Sequence, residues 1–262
     1  MEFRNFWGGF ETNKKVQSLF NDITGGQGTM TCVGTTWPVQ TIGRVNGCTF
    51  SGEPYHSALG DVNMIPGGEV PVHLFAITAY ERDAWSNLMT RTVTMKPDRF
   101  CAFCVGNGSV RIRNTFFCAL SQYKKVDSCG TFANNLGYCA PRSDEEYWKF
   151  LSHYKFNICF ENTNIKDYVT EKLFNAYMGG SIPIYWGTPQ VLEWFNPRAF
   201  LYLENENDME SLVKKVIDLD TNDELYQKMR AEPLLRDGMI PHDMKMETWK
   251  EKFELYRTRI SP

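Results

Sequence analysis

Two cations stand out for where they sit. Lys172 follows Glu171 where a polar loop, residues 161–170, gives way to a helical apolar rhythm. Arg113 sits at a second loop-to-helix turn, behind Gly106-Asn107-Gly108, with Arg111 two residues before it. The first turn of a helix presents free N–H groups and the positive end of the backbone dipole. A cation is disfavoured there unless an anion joins it, and a phosphate meets that requirement best. A solvated side chain is the ordinary alternative for either arginine, and it weighs more for Arg111. Glu171 would be accounted for by the helix dipole alone.

The elements around these residues can be read from periodicity. The apolar runs 156–160 and 182–186 are too short for buried helices and end in polar or glycine residues, so both read as buried parallel strands. Between them Val169, Leu173, Ala176 and Tyr177 share a helix face, and Gly179-Gly180 supplies the stop. In a sheet built from such strand–helix–strand units, ligands bind beyond the carboxyl ends of the strands. That places Glu161, Asn162, Asp167 and Tyr168 at a ligand crevice, with Glu171 and Lys172 opening the helix.

The same reading runs along the rest of the chain. Residues 99–105 form a strand, 111–122 a helix, 125–129 a strand and 144–151 an acidic helix; residues 191–195 make a turn of helix and 200–203 a strand. Asp208 caps a helix with Leu212, Val213, Val216 and Ile217 inward. Thr221 caps another with Leu225 and Met229 inward. Pro241 opens a last helix in which Trp249, Phe253 and Tyr256 share a packing face. Towards the N-terminus, strands are expected over 2–7, 30–33 and 48–50, with a helix capped by Thr12 that buries Val16, Leu19, Phe20 and Ile23. An apolar run over 71–80 precedes a helix over 81–88. Lys96-Pro97-Asp98 reads as a linker. The chain is therefore α/β, with domains over 1–97 and 98–240 and a helix over 241–262 that returns to the first domain.

Bulk properties exclude some classes. A net charge of -3 lacks the basic excess of a nucleic-acid binder. No segment approaches the roughly 18 apolar residues of a membrane span, and residues 1–4 open no signal peptide, so the cytosol is the expected location. Eight cysteines could pair, but most lie in apolar strand contexts where a thiol acts as a small hydrophobe. Cys101-x-x-Cys104 alternates within a strand, without a second ligand pair at zinc spacing.

The run FEN-x5-YVTEK, followed by IPIYWG, resembles the signature of the α1,3/α1,4-fucosyltransferases, glycosyltransferase family 10. Ile112-Arg113-Asn114 and the stretch from Gly130 to Tyr138 also fall in register with that family. The resemblance covers most of residues 99–203 and is thinner before Glu53. It implies a GT-B architecture, two Rossmann-like domains facing a central cleft. It also implies L-fucose transfer from GDP-β-L-fucose, with inversion, to the 3- or 4-hydroxyl of N-acetylglucosamine in a glycan.

By the same resemblance Arg113 and Lys172 hold the diphosphate and Glu171 the ribose. Asn162 and Tyr168 line the pocket, with Tyr168 near the guanosine and Glu161 near the fucose. Glu53, in Ser51-Gly52-Glu53-Pro54, matches the catalytic base of the family's TGEN turn, with Pro54 where asparagine is usual. From composition alone Glu53 is a solvated turn residue. The only Asp-x-Asp, Asp218-Leu219-Asp220, closes a surface helix, so no metal or other cofactor is expected and cationic side chains must stabilise the leaving group. The alternatives are a GT-B transferase with a different acceptor and a non-catalytic GDP-sugar-binding relative.

Overall fold

The structure, a computed structural model, describes residues 14–25, 43–45, 48–50, 62–63, 73–92 and 95–260. The chain forms two compact units. One comprises Met1–Ala84, Ile165–Tyr168 and Ile240–Pro262; the other comprises Trp85–Asn164 and Val169–Met239.

In the first unit, helix α1 (Lys14–Thr24) buries Leu19 and Ile23 and ends at Gly25, whose φ is 63°. Strands β1 (Gly43–Val45) and β2 (Cys48–Phe50) are antiparallel, and β3 (Val62–Asn63) runs parallel to β2. The strands expected over 2–7 and 30–33, and the cap Thr12, lie outside the described residues. Helix α2 (Leu74–Glu81) occupies what reads in the sequence as an undifferentiated apolar run. Phe75, Ala76, Ile77 and Ala79 are all buried, so the helix is wrapped on every side and carries no amphipathic stripe. The helix expected over 81–88 is instead broken at Asp83, which has a φ of 51°.

The second unit opens with α3 (Trp85–Met89), so residues 85–95 belong with it although they precede the proline linker. Then follow β4 (Arg99–Phe103), α4 (Arg111–Tyr123), β5 (Val126–Ser128), α5 (Asp144–Leu151), β6 (Tyr154–Ile158), α6 (Glu171–Met178), β7 (Ile182–Tyr185), α7 (Val191–Trp194) and β8 (Leu201–Tyr202). The five strands pair in parallel in the order β5-β4-β6-β7-β8, with Cys101 opposite Phe156, Phe156 opposite Ile182 and Ile184 opposite Leu201. The order reverses between β4 and β6. This is the switch point where the carboxyl ends of neighbouring strands diverge and leave a crevice. The core beneath holds Phe103, Phe116, Phe156, Phe160, Ile184 and Leu212.

Helices α8 (Met209–Thr221) and α9 (Asp223–Arg230) complete this unit. Asn222, not Thr221, caps α9, its side chain accepting from Leu225 N at 3.1 Å. The one-residue shift exposes Leu225 (47%) and buries Tyr226 (1%), reversing the inward face expected for Leu225. Asp208 makes no side-chain cap bond. Cys104 is joined to Cys129 by a disulfide across the ends of β4 and β5, so this pair does not behave as the free thiols expected of most cysteines. Cys101, Cys118, Cys139 and Cys159 are free.

Helix α10 (Met246–Ile260) belongs to the first unit, where it packs on α1 and buries Trp249 and Phe253. Among the described residues no helix is long and apolar enough to cross a membrane.

Candidate active site

Strand β6 leaves the sheet at Glu161, whose backbone N–H still donates to Trp186 O at 2.8 Å. Nine residues later Thr170 caps α6, its hydroxyl accepting from Lys172 N at 3.4 Å. The same hydroxyl also accepts from Lys172 Nζ at 3.1 Å. Its own proton therefore goes to Glu161, 2.7 Å from Oε2 and 3.0 Å from Oε1, while Thr170 N donates to Oε1 at 2.8 Å. Lys172 Nζ lies 3.2 Å from Glu161 Oε2 and 3.5 Å from Glu171 Oε1. The loop and the helix start are thus tied into one unit whose outward product is an oriented ammonium.

Electrostatics keep that ammonium charged. Burial pushes Lys172 down, but the Glu161 and Glu171 carboxylates more than offset this, and the net shift is upward. Burial likewise pushes the Glu161 carboxyl above its ordinary value, against the opposing pull of Lys172. Glu161 was expected near the sugar. It is completely buried, with its carboxylate engaged by Thr170 and Lys172.

Arg113, in the first turn of α4, is 1% exposed. It donates to Phe160 O at 3.2 Å, Asn162 Oδ1 at 3.1 Å and Asn107 O at 2.5 Å. It thereby braces the loops leaving β4 and β6 on either side of the switch point. Its charge is felt at Lys172, which it pushes down. The turn carrying Asn107 is tight: a Cβ on Gly108 would meet the Phe132 ring at 2.3 Å. Arg111 points away and pairs with Glu206 at 2.8 Å on the surface, the ordinary alternative foreseen for it.

Glu171 lies in the first turn of α6, its Oε2 buried without a hydrogen-bond partner. The structure therefore brings Arg113, Asn162, Glu161, Glu171 and Lys172 together. Tyr168 is buried within the first unit, after Asp167 at φ 63°. Glu53 lies outside the described residues. Thr170, Asn107, Tyr185 and Gly187 were not singled out in the sequence. Thr170 stands inside YVTEK as a cap residue, the one signal that could have marked it.

The Asp-x-Asp at the end of α8 has a structural use: Asp220 accepts from Lys155 at 2.8 Å and Lys124 at 3.1 Å. Among the described residues no group of three His, Cys, Asp or Glu side chains could hold a metal ion.

Known proteins share the fold and part of the sequence. Crystal structures of alpha1,3-fucosyltransferase, one of them with GDP-fucose, align with TM-scores of 0.72 and 0.70 at 23% identity, covering 100% of this chain and 91% of theirs. That likeness shows the fold, of the GT-B class. An alpha-(1,3)-fucosyltransferase of Helicobacter pylori is 39% identical over 133 residues, 51% of this chain and 27% of that protein. A GDP-fucose protein O-fucosyltransferase 3 of Gallus gallus is 30% identical over 122 residues, 44% of this chain and 26% of that protein. The match therefore spans about a quarter of the length of these relatives. The C-terminal model of glycosyltransferase family 10 (fucosyltransferase) matches residues 93–230, which contain both loops that Arg113 braces and the whole of α6. On that match the chain belongs to glycosyltransferase family 10, the fucosyltransferases.

Proposed function

We propose that this chain transfers L-fucose from GDP-β-L-fucose to the 3- or 4-hydroxyl of N-acetylglucosamine in a glycan, with inversion and without a metal ion. The observation that carries this reading is the Lys172 ammonium, kept charged by Glu161 at the N-terminal turn of α6 and within electrostatic reach of Arg113. Two cations and a helix N-terminus converge where a diphosphate would leave. Glu171 adds a buried carboxylate oxygen lacking a donor, which suits a ribose hydroxyl. By the family resemblance Asn162 lines the same pocket and Tyr168 is the residue expected near the guanosine. A solved structure of the same fold carries GDP-fucose.

In the single displacement, the acceptor oxygen forms a bond to fucose C1 as the bond from C1 to the β-phosphate oxygen breaks. GDP departs with that electron pair, its added charge met by Lys172 and Arg113. The hydroxyl proton passes to the Glu53 carboxylate. The relatives that act as protein O-fucosyltransferases favour a second reading, in which the acceptor hydroxyl belongs to a protein side chain.

GDP release from GDP-fucose, with N-acetyllactosamine or a folded serine- and threonine-containing protein domain as acceptor, separates these readings. Acceptor-stimulated release is expected, falling by about 10²–10³ in Lys172→Ala, the size of losing one oxyanion donor. Glu53→Gln is expected to lower turnover by roughly 10²–10⁴, the usual share of a general base. Near-normal turnover of Glu53→Gln would remove the base assignment. Stimulation by the protein domain alone would establish the second reading. Absence of GDP-fucose binding would defeat both.

A further inference from the structure

Behind Lys172 lies a contact that the donor-site reading does not use. Tyr185, the last residue of β7, is completely buried and its hydroxyl donates to Glu161 Oε1 at 3.3 Å. The ring packs against Phe200 and Tyr202, at 6.5 Å from each centroid, which a phenylalanine would do equally well. The hydroxyl therefore serves something other than packing. Two residues on, Gly187 is buried, and a Cβ there would lie 2.5 Å from the Tyr185 hydroxyl oxygen and 2.9 Å from Glu161 Cγ. The glycine leaves the space in which phenol and carboxylate meet.

We propose that Tyr185 is a positioning residue for the diphosphate-binding lysine: its hydroxyl fixes the Glu161 carboxylate, with Gly187 providing the room, so that Lys172 is held in one place. Glu161 has two oxygens with divided duties. Oε2 takes the Lys172 ammonium and the Thr170 hydroxyl, and Oε1 takes Thr170 N and Tyr185. A bond to the oxygen that Lys172 does not use resists rotation of the carboxylate and helps keep it ionised. The charged and titratable groups around the pair are Lys172 and Glu171 on α6, Cys159 beyond β6, Tyr185 on β7, Tyr147 on α5 and Arg113 on α4. Among the described residues, the neutral groups that donate to Glu161 are Tyr185 and Thr170.

This role rests on the donor-site reading, and GDP binding measured by calorimetry from neutral pH downwards keeps the two separable. Tyr185→Phe is expected to bind GDP about tenfold more weakly, the effect of one lost bond to a charged group. Its acidic limb should move to higher pH, because Glu161 without the phenol takes up a proton sooner. Gly187→Ala is expected to act in the same direction by pushing phenol and carboxylate apart. Tyr226→Phe, which removes another buried tyrosine hydroxyl in the same unit, one without a hydrogen-bond partner, is expected to leave both affinity and limb unchanged. Wild-type affinity in Tyr185→Phe, or a loss equal at every pH, would overturn the role while Lys172→Ala still defined the donor site. Wild-type protein that bound no GDP would remove the donor site and this role together.

Discussion

Arg113 and Arg111 stand two residues apart on one helix, yet the fold treats them oppositely. Arg111 is surface charge facing Glu206, with most of its side chain in water. Arg113 is buried and distributes its guanidinium among acceptors from two loops and one side chain. Ile112-Arg113-Asn114 drew attention to it in the sequence, but two of its partners were not legible there. Asn107 O and Phe160 O are backbone atoms, and no residue type announces them. Lysine cannot reproduce a forked arrangement. Arg113→Lys is expected to leave buried carbonyls unpaired and to cost about 2–3 kcal/mol of stability in denaturant unfolding. It should also weaken GDP binding in a titration. Arg111→Ala is expected to stay within about 0.5 kcal/mol of wild type. A stable Arg113→Lys protein that bound GDP normally would show that the brace is dispensable.

Helix α6 shows at the scale of an element why its neighbourhood was readable. Val169, Leu173, Ala176 and Tyr177 are all buried, and Gly180 turns the chain at φ 81°, so local pattern and tertiary environment agree. Its two ends also divide the work. The N-terminus holds Lys172 against the dipole by means of Glu161. At the C-terminus Arg91 donates to Ser181 O at 2.7 Å and Arg230 to Gly180 O at 3.0 Å, cations where the dipole welcomes them. Burial pushes Arg91 down to about 10, so it remains charged at neutral pH.

Helix α9 is the counter-example. Thr221-Asn222 offers two adjacent capping residues, and choosing the first turns the apolar face by one position. The structure puts Tyr226 in the core against Phe156 at 5.8 Å and leaves Leu225 in water. Tyr226→Ala should therefore cost about 3–5 kcal/mol, as large-to-small changes in a core do. Leu225→Ala should stay within about 0.5 kcal/mol. Thermal unfolding of the two variants decides the register: equal losses would place both side chains in the core.

At the scale of the whole molecule, the α/β class followed from alternating strands and helices and the last helix was expected to return to the first domain, whereas strand order and the place of Ile165–Tyr168 in the first unit were not legible. That unit gathers Ile165–Tyr168 from the middle of the chain and α10 from its end. His73 Nδ1 donates to Asp167 O at 2.9 Å across 94 residues, and Met246 N donates to the Tyr80 hydroxyl at 3.3 Å. Contacts of this range carry no local signal, which is why His73 had no reason to attract notice. Its burial has a consequence for stability. Burial pushes its pKa below the usual value, although the Asp167 carbonyl and the Asp167 and Asp243 carboxylates pull the other way. The folded protein keeps His73 neutral, while an unfolded chain protonates it near pH 6.5. Its stabilising contribution is therefore fully present above about pH 6.5 and is lost as the pH falls through the depressed folded value, by up to about 1.4 kcal/mol per pH unit. Urea unfolding on both sides of about pH 6.5 should show this slope in the wild type, and it should be flatter in His73→Gln, which retains a donor for the Asp167 carbonyl but does not titrate. An identical slope in the two proteins would mean that other groups carry the acid response and that His73 is as readily protonated in the fold as outside it.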